Sequence, residues 1–376
     1  MSENPLRLAA AHGQSIWLDN LTRKMLRDGR LRRLIEEDGV SGVTSNPAIF
    51  HKAMTDGSEY DASIRELAGR GFSTEAIYET MAVRDIQDAC DLFRPVFEGT
   101  NGTDGFVSLE VSPRLARDTE ATGAEARRLW AAVGRPNVLI KIPGTPEGVP
   151  AIRRMLAEGI NVNITLLFSL EAHRQVMEAH LAALEERASR GAPVATVASV
   201  ASFFLSRIDT MIDSSLDAMK TAGEHGDEPA ALRGRAATAS AKLAYRTWKA
   251  TYSGPRWEAL RSRGGRVQKP LWASTSTKDP SYPDVKYVEP LIGPFTINTL
   301  PDPTVDAFRN HGRVADTVET NLDDERRTLE RLEALGISMK AVTDTLVEDG
   351  IKKFVEPYDA LLRALEDKRR ALVPAR

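Results

Sequence analysis

The stretch NVLIKIPGTPEGVPAIRRMLAEGINVNITLL, residues 137–167, contains two apolar runs of strand length with an amphipathic stretch between them. The runs are Asn137–Ile142 and Ile160–Leu167. Several successive positions in each run are apolar, which is typical of parallel strands buried between a core and covering helices. The stretch therefore predicts a strand, a helix and a second strand parallel to the first.

The same pattern recurs along the chain. Six further runs of strand length alternate with helical stretches: Ser15–Asp19, Val40–Asn46, Gly105–Val111, Val194–Phe203, Leu271–Ser276 and Tyr287–Ile292. Eight strands with helical crossovers predict an α/β fold, a (β/α)8 TIM barrel with extra helices.

A barrel of this kind typically has about 250 residues, and this chain has 376. We expect one TIM-barrel domain over 1–376. The additional length is assigned to helical excursions at about 51–104 and 204–268 and to C-terminal helices at about 303–376. The alternative is a doubly wound open sheet, whose nucleotide-binding form is disfavoured because no glycine-rich phosphate loop follows any run.

The charge balance excludes several classes of partner. The 50 Lys and Arg residues nearly match the 53 Asp and Glu residues, so no global field favours nucleic acid or an anionic membrane. No stretch approaches the roughly 18 apolar residues of a membrane helix. An anionic substrate would therefore need a local cluster of cations.

Cysteine and histidine usage restrict the expected location and the expected metal content. Cys90 is the single cysteine, so no intrachain disulfide forms and a reducing cytoplasm is the expected location. The six histidines show no pair at metal-ligand spacing. We therefore expect no metal site among the histidines.

Polar residues at the ends of the apolar runs predict the site. Active sites of barrels lie at the C-terminal ends of the strands, and inward side chains alternate along each strand. Residues two apart that lead to each strand end are expected to converge on one mouth: Asp19, Asn46, Glu110, Lys141, Asn163 and Thr165. Any one of them alone is as easily explained as a turn, a helix cap or a solvated charge.

A lysine in such a pocket indicates covalent chemistry. Apolar neighbours of Lys141, from Val138 to Ile142, would disfavour its charged form, and a neutral amine attacks a ketose carbonyl to give an imine. Breaking the neighbouring carbon–carbon bond then needs a base, for which Asp19 or Glu110 could serve. Forming the imine needs a second proton shuttle, so two acids in different surroundings suit two tasks.

Five blocks of the sequence resemble the transaldolase family. Gly42–Ile49 is similar to the family signature around the second strand, and Leu139–Gly148 is similar to the segment of the Schiff-base lysine. Further similar blocks are Ser108–Val111, Asn161–Leu166 and Trp272–Lys278. The resemblance runs in order from about Ile16 to Ile297, and the length resembles the long bacterial form.

The resemblance implies a transferase of the pentose phosphate pathway that needs no cofactor. It would move a dihydroxyacetone unit from sedoheptulose 7-phosphate or fructose 6-phosphate to glyceraldehyde 3-phosphate or erythrose 4-phosphate. Its implied catalytic residues are the nucleophile Lys141, the acid/base Asp19, Glu110 acting through a water, and Thr165 holding that water. Asn46 and Asn163 would grip hydroxyls of the three-carbon unit, with Thr44 and Ser202 beside them.

The resemblance also implies a phosphate site. Arg207 follows Ser202 at the family spacing and is the first expected phosphate ligand. The short-form family has an arginine at the position of Ser276, and this departure leads us to expect that Ser276 and Lys278 replace it. Phosphate sites near strands seven and eight are common in such barrels.

Two other functions stay open at this point. A fructose 6-phosphate aldolase of the same family would release free dihydroxyacetone, but that relative has glutamine where this chain has Glu110. A noncatalytic sugar-phosphate-binding protein on the same fold would form no adduct on Lys141. The expected partners are sugar phosphates, and both a monomer and a homodimer are compatible with the sequence.

Overall fold

The computed structural model describes residues 4–372 and contains one closed parallel barrel. Within that range there are eight strands: β1 Gln14–Leu18, β2 Gly42–Val43, β3 Phe106–Glu110, β4 Val138–Pro143, β5 Val162–Leu167, β6 Ser199–Phe204, β7 Lys269–Ala273 and β8 Thr296–Leu300. Each strand pairs in parallel with the next along the chain, and β8 closes the barrel against β1. The predicted (β/α)8 barrel is confirmed, because a closed sheet excludes the doubly wound alternative.

Helices cover the outside of this barrel. Within the described residues they are α1 Pro5–Ala11, α2 Arg23–Arg27, α3 Arg30–Asp38, α4 Pro47–Thr55, α5 Asp61–Gly69, α6 Thr74–Gly99, α7 Thr119–Val133, α8 Gly148–Glu158, α9 Leu170–Ser189, α10 Ser206–Ala222, α11 Glu228–Leu232, α12 Ala236–Thr251, α13 Pro255–Arg261, α14 Asp302–His311, α15 Leu322–Ala334 and α16 Met339–Leu372. The ends of the predicted range 1–376, namely 1–3 and 373–376, lie outside the described residues.

Local signals explain where the helices around the site begin. Ser169 caps α9 by accepting a hydrogen bond from the Ala172 amide at 3.0 Å, and Asn46 caps α4 in the same way through Ile49. Both caps directly follow a strand region, so the chain turns sharply from sheet to helix. The C-terminal strand ends therefore stay free of long loops on these sides.

The barrel interior is filled by pairing large side chains with small ones. Trp17 on β1 is fully buried and lies in register with Gly42 on β2. A Cβ atom at position 42 would lie 2.5 Å from the indole ring, which is far inside van der Waals contact. The ring nitrogen of Trp17 donates to Asp104 at 2.8 Å, so this hydrogen bond and the packing against Gly42 fix the position of the indole.

Seven of the eight predicted runs overlap strands, and the eighth was wrong. Tyr287–Ile292 forms turns and a 3-10 helix over Glu289–Leu291, while the strand is Thr296–Leu300. Pro290 lacks the amide that a central strand must donate. The apolar residues of the run are buried as a loop packed against the barrel, so their hydrophobicity reflects burial and not strand pairing.

The true eighth strand was hidden by its polar residues. Thr296 donates to the Gly293 carbonyl at 2.6 Å, and Asn298 donates to the Tyr287 carbonyl at 3.0 Å. The mispredicted run and Gly293, which follows it, supply these two acceptors, so each fully buried side chain has its donor paired. A sequence pattern cannot show such partners in advance.

No helix within residues 4–372 has the length and apolarity to cross a membrane. The same residues contain no cluster of three or more His, Cys, Asp or Glu side chains that could hold a metal ion.

Candidate active site

A cavity of about 210 Å³ lies at the C-terminal ends of the strands. Eight predicted site residues line it: Asp19, Thr44, Asn46, Lys141, Ser202, Arg207, Ser276 and Lys278. Three others, Glu110, Asn163 and Thr165, are buried and do not line this cavity. The predicted set thus divides into a cavity wall and a buried layer behind it.

Lys141 is the buried cation of the site. It lies near the end of β4, and only 4% of it is exposed. Its Nζ atom donates to the Ser45 carbonyl at 3.2 Å and lies 3.6 Å from Oε2 of Glu110. At 3.6 Å the carboxylate is in ionic contact without a hydrogen bond, so the amine has a donor free for other partners.

Strand register brings Glu110 and Asn163 to Lys141. Glu110 on β3 pairs in register with Lys141 on β4, and Lys141 pairs with Asn163 on β5. Parallel partners in register point to the same side of the sheet. These three side chains therefore lie side by side on three neighbouring strands.

Burial makes Glu110 an unusual carboxyl group. Loss of hydration raises its pKa to about 7, while the nearby Lys141 opposes that rise. Neither of its carboxyl oxygens has a hydrogen-bond partner among the described residues. A carboxyl group with a pKa near neutrality can both take and give protons at physiological pH.

Within residues 4–372, Asp19, the second acid, has a hydrogen-bond donor that Glu110 lacks. The hydroxyl of Thr44 donates to Oδ1 of Asp19 at 2.8 Å and lies 2.8 Å from the hydroxyl of Thr299. Burial raises the pKa of Asp19, and Lys141 and the Thr44 hydrogen bond act against this. The two acids thus differ in surroundings, as the sequence predicted for two separate proton transfers.

Asn163 is held by hydrogen bonds within the buried layer. It donates to Ser108 Oγ at 2.9 Å and accepts from Ser202 Oγ at 2.7 Å. Ser202 lines the cavity, so this pair links the wall to the layer behind it. Thr165, two residues beyond Asn163 on β5, has a buried hydroxyl without a partner among the described residues.

Asn46 has two roles to reconcile. Its side-chain oxygen caps α4 at 3.0 Å from the Ile49 amide, as the simple structural interpretation expects. The cap uses only the oxygen, so the amide group of the same side chain can still donate into the cavity that it lines.

Two cationic side chains, Arg207 and Lys278, also line the cavity. Arg207 lies in the first turn of α10, and its Nη1 is buried with no hydrogen-bond partner among the described residues. Burial lowers its pKa. Lys278 is exposed at the rim and donates to Ser276 Oγ at 2.6 Å. Two positive charges and a helix N-terminus together favour an anion here.

The seventh strand contributes to this part of the cavity in an unexpected way. β7 ends at Ala273, earlier than the predicted Ser276, and Ser274 has a left-handed φ of 55°. Because this residue breaks the alternation, Ser274, Thr275 and Ser276 all line the cavity. Strand alternation alone would bring only every second residue, Ser274 and Ser276, to this side.

Sequence reasoning missed Thr299, Phe204 and Phe354. Thr299 lies on the misassigned eighth strand, and Phe204 has the same parity as Ser202, which was a usable signal. Phe354 comes from α16, and its ring centroid lies 5.5 Å from Lys141 Nζ and 5.9 Å from Arg207 Cζ. Nothing in the local sequence predicts that this helix reaches the mouth with an aromatic side chain.

Comparisons with known proteins agree with this geometry. A family model described as Transaldolase/Fructose-6-phosphate aldolase matches residues 16–365. A protein named Transaldolase from Thermobifida fusca (strain YX) is 49% identical over 96% of both chains. Another, named Transaldolase 2, from Nostoc sp. (strain PCC 7120 / SAG 25.82 / UTEX 2576), is 46% identical over 100% of both chains.

Proposed function

Because the chain belongs to the family of transaldolases and fructose-6-phosphate aldolases, we propose that it acts as a transaldolase through a Schiff base on Lys141. It is a transferase that moves a dihydroxyacetone unit from a ketose phosphate to an aldose phosphate. The observation that carries this proposal is a buried lysine amine 3.6 Å from the carboxyl group of Glu110, in one cavity with Asp19 and two cations.

The reaction begins with the amine. Nζ of Lys141 in its neutral form attacks the ketose carbonyl carbon, and the carbonyl oxygen takes a proton. Loss of water from this carbinolamine leaves a protonated imine. Glu110, 3.6 Å from Nζ and with a pKa of about 7, is placed to exchange protons in both steps through a water molecule.

Cleavage and transfer follow from the same imine. Asp19 takes the proton of the sugar hydroxyl on C4, the C3–C4 bond breaks, and its electron pair moves to the iminium nitrogen. The first aldose phosphate leaves, and a three-carbon enamine stays on Lys141. An incoming aldehyde then accepts the enamine carbon, takes its proton back from Asp19, and hydrolysis of the new imine releases the product.

The other residues orient these steps. Thr44 and Thr299 direct the carboxylate of Asp19, and the Ser202–Asn163 pair with the amide of Asn46 supports binding of the three-carbon unit. Arg207, Ser276 and Lys278 would bind the phosphate, which sets the register of the sugar against Lys141. Thr165 and Glu110 would hold the water. The single buried Cys90 fits a reducing cytoplasm, and the reaction is one of the pentose phosphate pathway.

Trapping with borohydride tests the covalent step. We expect borohydride with fructose 6-phosphate to add a three-carbon adduct to the peptide containing Lys141, as read by mass spectrometry. Lys242 is a matched control, because it is a second buried lysine whose Nζ donates to Thr320 and lies 3.3 Å from Glu325. An adduct that persists in Lys141→Ala, or one of equal yield on Lys242, would overturn the assignment.

An assay without an acceptor separates transfer from simple cleavage. A transaldolase keeps its enamine until an aldehyde arrives. With sedoheptulose 7-phosphate as the donor, free dihydroxyacetone should therefore appear far more slowly without an acceptor than fructose 6-phosphate appears with glyceraldehyde 3-phosphate as the acceptor. Equal rates would indicate an aldolase instead. Binding of fructose 6-phosphate with neither trapping nor turnover would indicate a noncatalytic protein.

A further inference from the structure

A second and larger cavity, of about 700 Å³, lies at the opposite end of the barrel. Its floor includes Phe106, Ser199 and Lys269, which are the first residues of β3, β6 and β7. Ser199 is three residues before Ser202, so the cavity is about 10 Å from the active site along β6. Its volume is within the range of small-molecule sites, roughly 300–1,000 Å³.

Aromatic rings form one wall of this cavity. Tyr245, Trp248 and Tyr252 follow one another along α12 and its end, and Trp257 and Phe295 complete the wall. Trp248 is stacked on Tyr245 at 5.2 Å between ring centroids, and it lies 5.9 Å from Phe295.

The polar atoms of the three rings from α12 and its end are already bonded inside the protein. Trp248 donates to the Gln268 carbonyl at 2.7 Å, Tyr245 donates to the Pro294 carbonyl at 3.1 Å, and the Tyr252 hydroxyl lies 2.9 Å from Nδ1 of His180. The surfaces that remain toward the cavity are ring carbon, which favours contact with another flat ring.

Phe295 stands at the rim in an unusual state. It is the exposed large hydrophobic residue of the described chain, at 54%, and its φ of 60° is in the left-handed region. A bulky side chain rarely adopts that conformation, and retaining it costs of order 1 kcal/mol or more. The fold therefore holds an aromatic ring in solvent at the mouth of an aromatic cavity.

Two cations of the same cavity form no salt bridge within the described residues, although the carboxylate of Asp104 acts on Lys269 from a longer distance. Arg266 donates to the carbonyls of Gly102 and Asn101 at 2.5 and 2.7 Å, and Lys269 donates to the Thr103 carbonyl at 2.9 Å. Both side chains thus lie beside the loop at residues 101–103. The other cations lining the cavity, Lys249 and Arg261, are paired with Glu319 and Glu258. The lining therefore has an excess of positive charge next to ring surfaces.

We propose that this cavity at the N-terminal end of the barrel is a second binding site, which takes a planar aromatic anion. The rings of the ligand would stack against Trp248 and Phe295, and its carboxylate, sulfonate or phosphate would contact Arg266 and Lys269. The site is separate from the sugar-phosphate cavity and independent of the proposed reaction.

The probe for this site is 1-anilinonaphthalene-8-sulfonate, an aromatic sulfonate that fluoresces in apolar surroundings. We expect saturable binding at one site, with energy transfer from tryptophan. The double variant Arg266→Met with Lys269→Met should bind it about tenfold more weakly or worse, because charged hydrogen bonds are lost. Binding of the uncharged analogue N-phenyl-1-naphthylamine should change little.

Matched variants keep the test independent of stability. Arg263→Met removes an exposed arginine that donates to the Ala188 carbonyl and does not line the cavity, so it should leave affinity unchanged. Ser253→Trp places a large ring at an exposed lining position and should abolish binding without altering the barrel. Thermal unfolding and transferase activity of every variant confirm the fold.

Three results would overturn the proposal. The first is equal affinity of the probe for wild type and the double variant. The second is displacement of the probe by fructose 6-phosphate together with its loss in Lys141→Ala, which would place it in the active site. The third is absence of probe binding in a chain that sediments as a dimer and dissociates on Ser253→Trp, since a second copy would then occupy the face.

Discussion

Glu110→Gln should lower activity and remove a pH dependence, because the proposed mechanism gives both roles to this one carboxyl group. The substitution keeps the size of the side chain and removes its proton exchange 3.6 Å from Lys141. General acid–base catalysis is worth about 10²–10⁴-fold, so kcat/KM should fall by that factor. The measurement is a coupled assay of transfer from fructose 6-phosphate to erythrose 4-phosphate.

The pH dependence follows from the raised pKa. With a pKa of about 7 for Glu110, the ionised fraction of the free enzyme falls about tenfold for each pH unit below that value. In wild type, kcat/KM should therefore decline on the acid side of about pH 7, and the Gln variant should lack this limb. A limb of unchanged midpoint in the variant would refute the assignment of the group.

The same carboxyl group should make stability depend on pH. Its pKa rises from 4.5 in the unfolded chain to about 7 in the native state, which corresponds to about 3 kcal/mol. The native state then binds more protons between these values, so the contribution of Glu110 to stability is lost as pH rises through the window. Urea unfolding from pH 4.5 to 8 should show Glu110→Gln gaining about 3 kcal/mol relative to wild type.

Two controls isolate Glu110. Glu125 is also a carboxyl group whose pKa is raised by burial, and it accepts a hydrogen bond from the Ser112 amide away from Lys141. Glu125→Gln should keep both the activity and the acid limb. Asp19→Asn should lower activity because cleavage of the carbon–carbon bond loses its base. The residual kcat/KM of this variant should still decline on the acid side of about pH 7. Loss of the limb in Asp19→Asn alone would transfer the role to Asp19.

Three further substitutions test the phosphate contact of Lys278, the hydrogen bonds that support Asp19, and the packing of Gly42 against Trp17. Lys278→Gln should raise KM for fructose 6-phosphate about tenfold with little change in kcat, and an equal rise for unphosphorylated fructose in steady-state kinetics would contradict a phosphate contact. Because Thr44 gives its proton to Asp19, Thr299 must donate to Thr44, so Thr299→Val should cost about 1 kcal/mol in urea unfolding and lower kcat; an unchanged kcat would exclude a supporting role. Gly42→Ala places a Cβ 2.5 Å from the ring of Trp17 and should destabilise the barrel by about 1–3 kcal/mol, so a melting temperature equal to wild type would show that this contact is less tightly packed than described.

Most of the fold could be predicted because buried parallel strands carry a local signal. Seven strands lie in runs in which several successive residues are apolar, and the closed order β1 to β8 follows from their alternation with helices. The failure at β8 has the opposite cause. Its buried Thr296 and Asn298 donate hydrogen bonds to the carbonyls of Gly293 and Tyr287 in the preceding loop, so a core strand looked polar and the loop looked like a strand.

The sequence by itself determined the chemistry of the candidate site. Period-two alternation along a strand is a local property, and it assigned Lys141, Glu110 and Asn163 to one face before any register was known. The tertiary structure then decided which of these side chains meet the cavity. Lys141 lines it, while Glu110 and Asn163 are buried without lining it although all three are in register, because the packing of neighbouring side chains decides which groups are covered and parity does not.

Only the tertiary structure decided the environment of Lys141. Its contact with Glu110 at 3.6 Å, the rise in the pKa of that carboxyl group and the ring of Phe354 over the amine depend on side chains more than 30 or 200 residues apart. Residue types and local periodicity specify which groups are available. The distances and the loss of hydration that tune them arise from packing of distant segments, which no local pattern encodes.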